Sequence, residues 1–183
     1  MDKILDFARK VIKEKIEKEQ SQKAFIAVDG TCGRGNDTLF LVQNAKEVYA
    51  FDIQDEAIKS TKELLKEYQN VHVIHDSHRN IDNYVKSIDI MMFNLGYLPK
   101  ADKRITTHIE DVLVALKKSM ELLSPKGIIT ICVYPGHEEG MKESIELGKY
   151  LKTINQKEFD IVKYEFINQI NYPPYLYIIQ KLK

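Results

Sequence analysis

Tryptophan is absent from this chain, and cysteine occurs only twice, at Cys32 and Cys132. Two cysteines cannot supply a disulfide framework, so a stapled secreted fold is excluded. Their spacing suits no metal either, so no metal site is expected. No apolar run approaches the ~20 residues needed to span a bilayer, so no membrane partner is expected. The start, Met1-Asp2-Lys3-Ile4, is charged and amphipathic and does not read as a signal peptide. A cytoplasmic protein is the expectation. An excess of one charge is also missing: Lys+Arg and Asp+Glu are 27 each, for a net charge of +0. Any nucleic-acid contact must therefore come from a local patch, not a global field. Nothing in the chain reads as a linker or a low-complexity segment. Residues 1–183 are read as one domain with an N-terminal helix, long enough for one sizeable core.

What is present starts with Ala27-Val28-Asp29-Gly30-Thr31-Cys32-Gly33-Arg34-Gly35-Asn36-Asp37. An apolar run, Ala24 to Val28, ends in an acid. A glycine-bearing loop follows, then the apolar run Leu39 to Val42. That order reads as strand, tight turn and helix start. Gly33 and Gly35 permit positive φ and close approach of backbone to a ligand. Further on, Val48 to Phe51 ends in Asp52, an acid placed to accept hydrogen bonds from both hydroxyls of a ribose. A dinucleotide fingerprint needs a third glycine where this chain has Thr38. Asp29 and Asp37 would also repel a pyrophosphate. They suit a cationic ligand, and S-adenosyl-L-methionine carries a sulfonium and an ammonium but no phosphate. It is the expected cofactor.

The remaining pattern alternates helix and strand. Helical spacing is seen over residues 3–19, 55–68, 107–123 and 138–153. Strands are expected at Val71 to Ile74, Ile88 to Phe93 and Ile128 to Val133, with a turn at Ser124-Pro125-Lys126-Gly127. Phe159 to Ile167 and Tyr175 to Leu182 read as a terminal hairpin joined by a short loop through Pro173-Pro174. The expected architecture is α/β and Rossmann-like, with a seven-stranded, mostly parallel sheet and an antiparallel C-terminal hairpin. Five βα units closed in this way are the order of class I methyltransferases.

Asp29-x-Thr31-x-Gly33-x-Gly35 resembles motif I of that class, with Thr31 in place of its first glycine. Further segments are Phe51-Asp-Ile-Gln54, Asp76-Ser-His78, Phe93-Asn-Leu-Gly-Tyr-Leu-Pro99, Lys103 with Thr106-Thr107, and Tyr134-Pro-Gly-His-Glu-Glu-Gly140. Together they make the chain similar to the YtqB/MnmM-type family, known both as rRNA methylases and as tRNA 5-aminomethyl-2-thiouridine methyltransferases. The resemblance implies S-adenosyl-L-methionine as methyl donor and a modified wobble uridine as acceptor, so the implied partner is a tRNA anticodon stem-loop. The first segment also resembles the larger 16S rRNA cytosine N4-methyltransferases. An rRNA methyltransferase, a small-molecule methyltransferase and a non-catalytic cofactor- or RNA-binding protein are the other function classes left open. A homodimer is left open too.

Asp29, Thr31, Gly33, Gly35, Asn36, Asp37, Asp52 and Gln54 are the expected cofactor residues on the first two strand tips. Asp76, Ser77 and His78 follow the third strand, where an adenine ring would sit. Asn94-Leu95-Gly96-Tyr97 resembles the Asn/Asp-Pro-Pro-Tyr/Phe motif of amino-methyltransferases, with Leu-Gly for Pro-Pro. An amide oxygen there can orient a neutral amine toward the methyl carbon, and an aromatic ring can stack on the base. Asn94 and Tyr97 are therefore assigned to catalysis, with Asn94 also touching cofactor and Tyr97 substrate. His137 is a candidate proton acceptor, since imidazole titrates near neutral pH. Arg34, Lys103 and Arg104 are candidates for RNA phosphates, and Tyr172 for approach to the substrate.

Overall fold

A computed structural model describes residues 3–19, 25–95 and 109–183. Its strands form one seven-stranded sheet in the order β3-β2-β1-β4-β5-β7-β6. In chain order they are β1 (Ile26–Asp29), β2 (Glu47–Asp52), β3 (Val71–His75), β4 (Ile88–Leu95), β5 (Leu123–Val133), β6 (Phe159–Tyr164) and β7 (Tyr175–Lys181). The first five are parallel, while β7 runs antiparallel to both β5 and β6. The helices are α1 (Ile4–Lys18), α2 (Asn36–Val42), α3 (Asp55–Leu64), α4 (Ile109–Leu122) and α5 (Glu138–Leu151). Chain order reverses across the sheet between β1 and β4, and open α/β sheets bind ligands at the carboxyl ends of such neighbours.

Strand alternation fills both faces of the sheet. Met91, Phe93 and Leu95 of β4 join Ile129, Ile131 and Val133 of β5 beneath α4 and α5. Ile90, Met92, Ile128 and Cys132 point the other way, against α1 and α2. A central strand covered on both faces must be apolar throughout, which is why β4 lacks polar alternation. Helix α1 earns its place through Ile4, Ala8, Ile12 and Ile16, which recur every four residues and are all buried. It packs against β5 and β7.

Three local readings need correction. The Ser124–Gly127 turn does not precede the fifth strand. It is a bulge inside β5, because Ile88 faces Leu123 while Ile90 faces Ile128. Lys126 turns the backbone there, with φ of 63°. The third strand leads into a 3-10 helix, His78–Asn83, for which apolar spacing gave no signal. The sixth strand stops at Tyr164, short of Ile167, which is 92% exposed. The hairpin loop is therefore longer than the two prolines suggested. Residues 107 and 108 of the expected fourth helix lie outside the described residues.

Candidate active site

The loop after β1 folds back on itself at the sheet edge. The Gly30 N–H donates to the Met92 carbonyl of β4 at 2.9 Å, and the Cys32 N–H to the Phe51 carbonyl of β2 at 2.9 Å. The loop thus clips to the strands on either side of β1. Gly33 and Gly35 take φ of 52° and 82°. A side chain at Gly35 would also meet the Thr61 backbone at 3.2 Å. Asp52, at the tip of β2, accepts from the Gly33 N–H at 3.0 Å and from the Gln54 N–H at 3.0 Å. These bonds fix the carboxylate at the loop's mouth, while each oxygen keeps a second lone pair. Asn36 and Arg34 are exposed on the same loop.

Two acids sit beneath this loop. Asp29 is buried, accepting from the Thr31 N–H at 3.1 Å and the Thr38 hydroxyl at 2.7 Å. Burial, and then the Asp37 carboxylate beside it, push its carboxyl up to about 7 despite those bonds. Asp37 is held by Arg9, whose Nε and Nη2 both donate to Oδ1, at 3.0 and 2.6 Å. Arg9 comes from α1, so the N-terminal helix is tied directly into the glycine loop. Sequence spacing does not reveal it. The available signal is an arginine in a helix whose other cations are lysines, because buried ion pairs favour the guanidinium.

Asn94, near the end of β4, meets both parts. Its backbone N–H donates to the Thr31 hydroxyl at 2.8 Å, so Thr31 ties the glycine loop to β4. Its side-chain nitrogen lies 3.5 Å from Asp37 Oδ2. An ionised carboxylate only accepts, so the amide NH2 faces Asp37 and the amide oxygen turns elsewhere. The Asn94 amide also interacts with the Tyr134 phenol, which burial pushes well above its ordinary range. Tyr134 follows directly after β5, and its phenol is a part of the site that no spacing in the sequence marks.

On the β3 side, Asp76 accepts from the Ser77 N–H at 2.7 Å, Asn80 Nδ2 at 3.0 Å and the Tyr84 hydroxyl at 2.9 Å. Ser77 caps the 3-10 helix through the Arg79 N–H. His78 is buried, and its Nδ1 lies 3.0 Å from the Gly30 carbonyl. A carbonyl only accepts, so Nδ1 carries the proton. Nε2 is then a buried acceptor with no partner among the described residues. Burial pushes the His78 imidazole down, keeping it neutral.

His137 lies between β5 and α5. It caps α5, its Nδ1 accepting from the Gly140 N–H at 3.0 Å. The cap engages Nδ1 of the ring. Tyr172 is 67% exposed on the β6–β7 loop, and its carbonyl lies 3.7 Å from the Cβ position of Gly136. The loop tip thus leans on the β5–α5 turn. Tyr97, Lys103 and Arg104 lie outside the described residues. Among the described residues, no group of three or more His, Cys, Asp or Glu could hold a metal, and no helix is long and apolar enough to cross a membrane.

Seven strands in this order, a glycine loop at the tip of β1 and an acid at the tip of β2 define the class I fold of S-adenosylmethionine-dependent methyltransferases. A family profile described as "Putative rRNA methylase" matches residues 48–180, and the chain belongs to that family. It is 31% identical over 177 residues to the "tRNA (mnm(5)s(2)U34)-methyltransferase, chloroplastic" of Arabidopsis thaliana, covering 87% of this chain and 65% of that protein. It is 31% identical over 94 residues to "Ribosomal RNA small subunit methyltransferase H" of Halothermothrix orenii, covering 47% of this chain and 30% of that protein. The chain therefore spans less than two thirds of the length of these curated relatives. Among solved structures, a "putative rRNA-methylase" from Clostridium thermocellum is 39% identical with a TM-score of 0.84, covering 93% of this chain and 97% of that one. A "putative methyltransferase" from Streptococcus mutans in complex with SAH is 37% identical with a TM-score of 0.89, covering 100% of this chain and 99% of that one.

Proposed function

We propose that this chain transfers a methyl group from S-adenosylmethionine to the amine of 5-aminomethyl-(2-thio)uridine at wobble position 34 of tRNA. The product is the 5-methylaminomethyl nucleoside. The observation that carries the reading is the placement of Asn94. Its backbone is bonded to the glycine loop through Thr31, and its side-chain nitrogen faces Asp37, which leaves the amide oxygen turned away from that carboxylate. That oxygen can accept an N–H bond from a primary amine and so direct the nitrogen lone pair.

The residues present fit the cofactor. Asp52 would hold the ribose hydroxyls, with Gln54 beside it. Asp76, Ser77 and His78 follow β3, where the adenine ring would sit. When bound, S-adenosylmethionine supplies an electrophilic methyl group on a sulfonium. The name of the Arabidopsis relative supports wobble uridine as acceptor. The rRNA alternative is weaker, because the relatives of that name match over 30% and 49% of their own length. Tyr97, Lys103, Arg104 and Arg34 remain the proposed contacts to the anticodon stem-loop, and the cytoplasm its setting. Nucleoside mass spectrometry of tRNA from cells lacking the gene tests the reading. The 5-methylaminomethyl nucleoside should vanish and its unmethylated precursor accumulate. An unchanged nucleoside profile would overturn it.

A further inference from the structure

The cofactor residues occupy the β1, β2 and β3 tips and leave the other half of the sheet edge unused. A cavity of about 770 Å³ lies there, between the start of α1, Tyr134 and the β6–β7 loop. Its walls include Arg9, Tyr134, Phe166, Asn168, Gln169 and Pro174. Its volume falls in the range of ~300–1,000 Å³ seen for small-molecule sites. Two of its walls are also part of the site already described. Arg9 grips Asp37, and the Tyr134 phenol meets the Asn94 amide.

The loop that closes the cavity is held in a definite shape. Phe7 of α1 stacks on Tyr164 with ring centroids 4.1 Å apart, and Tyr164 meets Phe166 edge-on at 6.1 Å. These contacts tie the base of the loop to α1. At its tip, Asn171 and Tyr172 both adopt positive φ, at 66° and 49°. L-residues seldom do so, and Tyr172 is a bulky one. Its side chain is 67% exposed, so core packing does not offset the strain. Residues held in this region cluster at active sites and ligand clamps.

We propose that this cavity receives the acceptor nucleotide. One pyrimidine ring stacks on Phe166, Asn168 and Gln169 pair with its edge, and Tyr172 stacks at the rim. A uracil edge carries both a donor and acceptors, and each primary amide offers both in return. Stacking on aromatic rings is how single-stranded bases are held. The Tyr134 wall directs the ring's substituent toward Asn94. This inference rests on the proposed methylation of a tRNA nucleotide.

The test uses the full chain and an anticodon stem-loop carrying 5-aminomethyluridine. Phe166→Ala and Gln169→Ala should each weaken stem-loop binding, Phe166→Ala by at least about fivefold. Phe166→Tyr keeps the ring and should bind as the wild type does. Calorimetric affinity for S-adenosylhomocysteine should stay unchanged in all three, since no altered residue touches the cofactor loop. If the wild type binds the stem-loop and the two alanine variants bind it equally well, the cavity assignment is overturned alone. If the wild type does not bind the stem-loop, the proposed function falls and the cavity assignment with it.

Discussion

Asp52 anchors Gly33 and Gln54 with the carboxylate that the proposed function also assigns to the ribose. Asp52→Ala should weaken S-adenosylmethionine binding at least tenfold, at ~1.5–3 kcal/mol for each hydrogen bond to a charged group. Calorimetric titration measures it, and unchanged affinity would place the ribose elsewhere. The positions of Asp29, Gly33, Gly35 and Asp52 were legible in the sequence because the pattern is local: an acid at a strand end and glycines in the following turn. Arg9 was not legible, since its bond to Asp37 joins residues 28 apart through the docking of a helix. His137 was legible only as a residue type, since the cap its Nδ1 makes with the Gly140 N–H depends on where α5 begins.

At the scale of elements, the junction of β5 and α5 is the tightest part of the site. A Cβ on Gly140 would sit 2.2 Å from the Tyr134 carbonyl and 2.8 Å from His137 Nε2. Alanine raises helix propensity by ~1 kcal/mol over glycine. Here the clash should win, because the carbonyl is backbone and α5 must move to relieve it. Gly140→Ala should destabilise the protein by about 1–3 kcal/mol, the range for overpacked sites. Denaturant unfolding checks this, and a variant as stable as the wild type would mean that α5 shifts freely. Strand order and helix faces could be read from the sequence because apolar spacing records which side is buried. The β5 bulge and the long β6–β7 loop could not. Ser-Pro-Lys-Gly looks like a turn whether it precedes a strand or interrupts one, and Ile167 looks like a strand residue although it is solvent-exposed.

Across the whole molecule, one sheet edge carries the glycine loop and the acids of β1 and β2, and a cavity lies by β5; Asn94, Asp37 and Arg9 join the two. Concentrating acids there has a pH signature. Asp29 is pushed from the usual 3.8 to about 7 by burial and then by Asp37. Between those values the unfolded chain releases this proton and the native protein keeps it, so native stability falls as pH rises. Above about 7 the loss is complete. Asp29→Asn removes this titration. The stability of the wild type minus that of Asp29→Asn, from denaturant melts without cofactor, should therefore drop between pH 5 and pH 8. An equal difference at both pH values would contradict the buried-acid account. The identity of the acceptor is the central claim, and methyl transfer by the purified protein tests it most directly. Methyl-labelled S-adenosylmethionine is supplied with tRNA bearing 5-aminomethyluridine at position 34, and digested nucleosides are separated. The label should appear in 5-methylaminomethyluridine. Label on a ribose hydroxyl or a ring carbon, or no transfer to this tRNA while rRNA is labelled, would contradict the account.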